Sequence, residues 1–242
     1  MGLNVHPGVE RNAVGVKFGD LSDNQTFLHL ADLAQHGRIN EWHAGPPCWS
    51  FGTLRRPRLR DKRHPAGFVI DDPVTQEQTL LAVRTAFLLL LAFLAGCYIS
   101  CEQPGASVMF ELHIFRVLLE LGCRITRFPF CSFGSTSPRS VHNKPWLLGL
   151  ESRSCQYKGT HFVIEGSFTK AAIREFDARC ELSCLAAYGK TPPLGQSTSS
   201  FSAAYPLPLC RRMAAGSKTQ WLARMARRPR LGARPLRKSP LP

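Results

Sequence analysis

Cys48 stands in the tetrad Gly45-Pro46-Pro47-Cys48 and is followed by Trp49-Ser50-Phe51-Gly52. Each proline fixes its own φ and pushes the residue before it out of the helical region, so the thiol rides on a stiffened loop. Roughly fifty residues later the run Cys97-Tyr98-Ile99-Ser100-Cys101 leads into Glu102-Gln103-Pro104. A thiolate is a nucleophile that adds to electron-poor carbon. A carboxylic acid beside it donates a proton where negative charge collects, provided its pKa is raised. A buried cysteine beside a proline turn is the plainer reading of Cys48 taken alone.

Both groups require strands to hold them. Residues 37–44 (GRINEWHA) read as a helix end and a short strand, and 97–101 reads as a strand. A thiol and a carboxylate delivered at two strand ends converge on one pocket, because open α/β sheets place their chemistry there. The remaining pattern alternates strands and helices. Strand candidates are 13–18, 124–130, 146–150 and 161–164. Helix candidates are 25–35 with Asp23 as cap, 75–96, 108–121 closed by Gly122, and a short one at 218–227. This rhythm predicts an α/β fold with a mostly parallel sheet and helices on both faces.

The pair of motifs resembles the DNA cytosine-5 methyltransferases. Their catalytic loop, Pro-Pro-Cys-x-x-Phe-Ser, is matched at Pro46, Pro47, Cys48 and Phe51, with Gly52 in place of the serine. Their Glu-Asn-Pro motif is matched at Glu102 and Pro104, with Gln103 in place of the asparagine. Gly19-Asp20-Leu21, Cys131-Ser132-Phe133-Gly134, Lys144-Pro145 and residues 201–215 extend the likeness less sharply. The resemblance implies a Rossmann-like S-adenosylmethionine-dependent fold. It makes Cys48 the nucleophile that adds to C6 of cytosine and Glu102 the acid at N3. Pro46, Pro47, Phe51, Gln103 and Pro104 support the loop, and Asp20 approaches the cofactor adenine. DNA is the implied partner, with the target base extruded from the duplex. The family's Phe-x-Gly-x-Gly loop has no counterpart in residues 1–18, so the resemblance implies a divergent member truncated at its N-terminus, with an incomplete site for S-adenosylmethionine.

The loop after Cys48 carries Arg55, Arg56, Arg58, Arg60, Lys62 and Arg63, stiffened by Pro57 and Pro65. In the family this loop closes over DNA, and six cations suit phosphate clamping. An exposed, solvated loop fits the sequence equally well. Arg139 and Lys144 are the candidates for the basic contact to the flipped base or its phosphate. His43 is adjacent enough to suggest a Cys/His hydrolase, but no orienting third group accompanies it, and strand-end packing is the better reading.

Net charge is +14 over 242 residues, and eleven of the positive charges lie after Glu181 with no acid among them, leaving +3 on residues 1–181. Three segments follow: an α/β domain over 1–185 lacking its first βαβ unit, a Gly/Pro/Ser-rich linker over 186–203, and a short helix with a basic, disordered tail over 204–242. The tail suits phosphate, a nuclear address or anionic lipid. Nine cysteines without a CxxC pair read as reduced thiols in an intracellular, soluble protein, nuclear if the source is eukaryotic. Cys155, His161, Cys180 and Cys184 are too loosely spaced for a zinc site, and no metal is expected. The apolar run 85–99 is short of a membrane span and reads as a buried helix, so no membrane partner is expected. Oligomeric state is not encoded in any pattern found. Two other readings stay open: an inactive, basic nucleic-acid-binding fragment, and a membrane-associated or structural protein.

Overall fold

Asp23 and Asp72 open the two helices that frame the domain. The Asp23 carboxylate accepts from Thr26 N and starts α1 (Asn24–Gln35), and the Asp72 carboxylate accepts from Thr75 N and starts α2 (Pro73–Leu94), with Pro73 in the first turn. The structure is a computed structural model. It describes residues 19–52, 55–127, 138–151, 159, 162, 167–180, 182–196 and 206–227. The expected strand at 13–18, the motif at 131–134 and the tail beyond 227 lie outside these residues, as does all of 161–164 except Phe162.

Between the two helices comes β1 (Glu41–Ala44), and after α2 comes β2 (Tyr98–Pro104). These strands pair in parallel, with Ala44 opposite Cys101. A short 3-10 turn (Met109–Glu111) precedes α3 (His113–Glu120), then β3 (Arg124–Arg127) and β4 (Pro138–His142). The sheet order is β1-β2-β4-β3, and both pairings of β4 are antiparallel. The sheet is therefore mixed, which corrects the mostly parallel sheet expected from sequence. Its cause is β4, which turns back from β3 and enters between β3 and β2, leaving the other three strands with one common direction.

Several local expectations also change. The helix read over 108–121 breaks at Leu112, whose ψ of 138° is extended. The break lets Met109 and Phe110 on one side and Phe115 and Leu118 on the other all enter the core. Residues 146–150, expected as a strand, contain α4 (Pro145–Leu148), because Pro145 is pre-set for a first helical turn. Helices α5 (Lys170–Arg179) and α6 (Cys184–Tyr188) follow. The segment expected as linker begins inside α6 and then pairs with Phe168, which exchanges backbone hydrogen bonds with Gly195 and Gln196. Gly189, at φ 71°, ends α6 in the left-handed region that glycine tolerates.

The last helix, α7 (Leu207–Arg227), is 21 residues long rather than the ten expected. It sits directly on α4: a Cβ on Gly216 would come within 2.5 Å of the Trp146 ring. Lys144, 1% exposed, reaches Glu41 at 2.5 Å, and Ser217 of α7 donates to the same Glu41 oxygen at 2.6 Å. Three distant elements thus share one carboxylate.

The main core lies around α2, with Ala82, Ala86, Leu89 and Ala92 against Ile99, Cys101, Phe115 and Val141. Among the described residues α2 alone is long and apolar enough to cross a membrane by length and composition. Its buried side packs on the sheet, and Arg84, one of its two charged residues with Glu77, binds the carbonyls of Leu21 and Ser22 ahead of α1.

Candidate functional site

The loop from Gly45 to Gly52 leaves the C-terminal end of β1, and Glu102 lies near the C-terminal end of β2, beside it and parallel. The strand runs on through Gln103 and Pro104, further than the sequence suggested. Cys48 is half-buried. Burial first, and the Glu102 carboxylate second, push its thiol above the usual range, while a backbone hydrogen bond pulls it partly back. The Glu102 carboxylate therefore bears on the electrostatics of the Cys48 thiol. Cys101, next to Glu102 in sequence, is fully buried, and burial drives its thiol well above the usual range. Of the two cysteines near this carboxylate, only Cys48 is accessible.

Gln103 joins the two strand ends. It is 1% exposed, its Nε2 donates to Pro46 O at 2.8 Å, and its Oε1 accepts from Ser107 Oγ at 2.9 Å. Ser107 Oγ in turn accepts from Met109 N at 3.2 Å. On the far side of the thiol, Phe51 O accepts from Val108 N at 3.0 Å and Gly52 bridges Ser107. The Cys48 loop is therefore stitched to the segment after Glu102 both before and after Cys48. Ser107 was not singled out by sequence reasoning. The signal was present, since a serine two residues before an apolar turn is a frequent backbone partner.

The loop cations separate into different roles. Arg60 does not face solvent: it is 1% exposed, its guanidinium lies 3.9 Å from the Phe51 ring centroid, and it donates to Pro65 O, Thr75 O and Thr79 Oγ1. Burial lowers its pKa to about 10. It is an internal clamp, which corrects its assignment to DNA. Lys144 is corrected likewise, because its ammonium is enclosed and committed to Glu41. Arg139 is half-buried and donates to Ser107 O, next to the site but tied to its frame. Arg55 stacks on Trp49 at 4.3 Å from the ring centroid, immediately beyond Cys48. Arg56, Arg58, Lys62 and Arg63 are exposed.

Asp20 sits at the entry to α1, and its Oδ1 accepts from Ser22 N and Ser22 Oγ at 2.8 and 2.7 Å. His43 Nδ1 lies 2.8 Å from Ser100 Oγ across the strand pair, which agrees with strand-end packing. A groove of about 670 Å³ lined by Tyr98, Trp146, Gln220 and Arg224 opens where β2 begins, away from Glu102 near its end. Among the described residues no group of three or more His, Cys, Asp or Glu could hold a metal.

Comparison with protein-family models, with curated proteins and with solved structures finds no match to this chain.

Proposed function

We propose that the chain is a DNA cytosine-5 methyltransferase-like protein with a Rossmann-like sheet, and that its described residues serve the acceptor side of the reaction. The observation that supports this most is the placement of Cys48 in the loop that leaves β1 and of Glu102 near the end of the adjacent parallel strand, with the Glu102 carboxylate helping to raise the Cys48 thiol. A cytosine turned out of its duplex meets both groups. The thiolate Sγ adds to C6, forming the S–C bond. The electron pair of the C5–C6 double bond shifts toward N3, which takes a proton from Glu102. C5 is then an enamine carbon able to take an electrophile.

The proton count closes within the site. One proton, that of the Cys48 thiol, serves the step. Moving it to Glu102 and on to N3 creates the thiolate and neutralises the ring together. Gln103 and Ser107 keep both partners in one frame during the transfer.

S-adenosylmethionine would supply a methyl group to C5. Asp20 is the described residue that the resemblance brings to the adenine of that donor, and residues 1–18 lie outside the described ones. The reading otherwise implies a soluble, intracellular protein that meets DNA, in the nucleus of a eukaryotic cell. The exposed cations Arg56, Arg58, Lys62 and Arg63 favour one alternative: a nucleic-acid-binding relative without transferase activity.

The experiment avoids the methyl donor altogether. Duplex DNA carrying tritium at cytosine C5 is incubated with the full chain, since reversible addition at C6 exchanges the C5 hydrogen with water. Tritium release that is lost in Cys48→Ala and falls about 10²–10⁴-fold in Glu102→Gln supports the acid–nucleophile pair. Salt-sensitive DNA binding with no release above the Cys48→Ala background would refute it and leave the binding reading.

A further inference from the structure

The segment between the nucleophile turn and α2 ends in three consecutive exposed apolar side chains: Phe68 is 47% exposed, Val69 62% and Ile70 72%. Single apolar residues on a surface are ordinary, but a contiguous patch marks a place of contact. The patch is held firmly. Phe68 N donates to Leu59 O at 2.9 Å, and its ring lies 5.6 Å from that of His64. Gly67, at φ 122°, lets the chain pass so close to α2 that a Cβ there would lie 2.3 Å from Thr75 Cγ2. Arg60 spans the loop, the first turns of α2 and the Phe51 ring, and Phe51 N donates to Cys48 O at 3.0 Å. The triad and the nucleophile turn therefore form one rigid piece.

The loop over 55–72 is net positive, with six cations against Asp61, Asp71 and Asp72, the last two directly after the triad. Arg56, Arg58, Lys62 and Arg63 are exposed on the same loop. Two of its three acids are committed to backbone: Asp61 accepts from Arg63 N and His64 N, and Asp72 caps α2.

We propose that this loop is a pre-built wedge for stacked nucleic acid, in which the cations hold phosphates while Phe68, Val69 and Ile70 enter between neighbouring bases. Apolar side chains driven into a base step unstack it, and the vacated stacking lowers the cost of extruding a base. The inference rests on the nucleic-acid part of the proposed function but not on methyl transfer. It also differs from a lid that closes after binding, because the Arg60 clamp fixes the wedge before any ligand arrives. An anionic membrane is the other partner that accepts an apolar tip on a loop of net positive charge. The tie to the nucleophile turn favours nucleic acid, since whatever the triad enters must also bring an acceptor to Cys48.

The test uses the full chain and a duplex with 2-aminopurine beside a central cytosine. The parent protein raises the fluorescence about threefold or more as the step unstacks. A triple variant, Phe68→Ser with Val69→Ser and Ile70→Ser, keeps its thermal melt and binds within about threefold of the parent, because phosphate contacts remain, but loses the rise. Ile70→Ser alone, at the most exposed position, reduces the rise and serves if the triple variant folds poorly. Cys48→Ala retains the full rise, so a failure of the transferase reading is distinguishable from a failure of the wedge. The proposal is overturned if the serine variants unstack DNA like the parent, or if the parent binds without any rise. Triad-dependent binding to phosphatidylserine-containing vesicles without DNA binding overturns it too, in favour of a membrane.

Discussion

Replacing Gln103 by Leu tests whether the two strand ends work as one unit. The side chain is 1% exposed and makes two buried hydrogen bonds, to Pro46 O at 2.8 Å and from Ser107 Oγ at 2.9 Å. Leucine keeps the approximate volume and removes both. Pro46 O is left in a buried setting without its donor, at about 1–3 kcal/mol. Ser107 Oγ loses its acceptor but keeps Met109 N, so its share lies near about 1 kcal/mol. Extra apolar burial offsets part of this, about 1 kcal/mol, giving a net loss of about 2 kcal/mol. For a chain of this size that lowers Tm by roughly 4–8 °C. The readout specific to the site is alkylation of Cys48 by iodoacetamide, followed by peptide mass spectrometry so that other thiols are not counted. With Pro46 released, the Cys48 loop opens more often and alkylation accelerates. Gln103→Asn, one methylene shorter, gives the same direction, because its amide falls short of Pro46 O on this backbone. A Gln103→Leu protein with unchanged Tm and unchanged Cys48 alkylation would refute the argument that Gln103 ties nucleophile to acid.

Three further expectations follow from buried charges. Glu102→Gln removes a negative charge that raises the Cys48 thiol, so the pH profile of Cys48 alkylation moves to lower pH; an unmoved profile would separate the two residues. His142, 1% exposed, has its pKa lowered to about 4, first by burial and then by Lys144. The unfolded chain therefore binds more protons between pH 6.5 and 4, and stability falls as pH drops through that window, by about 3 kcal/mol at this site. Urea melts across that range should show a shallower slope in His142→Gln. Glu41→Gln leaves the enclosed Lys144 ammonium without its carboxylate and costs about 3 kcal/mol, recovered largely by adding Lys144→Met; melts of single and double variants give the coupling.

Much of the local structure was legible because it depends on neighbours a few residues apart. Asp23 caps α1 through an amide three residues on, and the apolar run 85–94 packs as a core helix, whereas the cap at Asp72 emerged only in the structure. Glu102 and Cys48 fell at parallel strand ends because short strands bounded by helices leave few other arrangements. Phe51, read as loop support, is 1% exposed and lies under Arg60. The charged residues were the least legible. Arg60, Lys144, Arg56 and Arg63 look alike in sequence, yet the first two are enclosed and the last two exposed. Nothing local distinguishes them, since the partners of Arg60 lie up to 19 residues away and that of Lys144 lies 103 away.

What the amino-acid order determined by itself was a stiffened thiol, a strand bearing a carboxylate, a capped helix and a cationic loop. All are short-range consequences of proline geometry, hydrophobic period and side-chain caps. What only the tertiary structure decided was the reversed strand slotted between β2 and β3, the α7 helix seated on Trp146, and the bond from Gln103 to a carbonyl 57 residues earlier. Those features arise when separate elements bury against each other and their polar groups must find partners at whatever distance along the chain the fold provides.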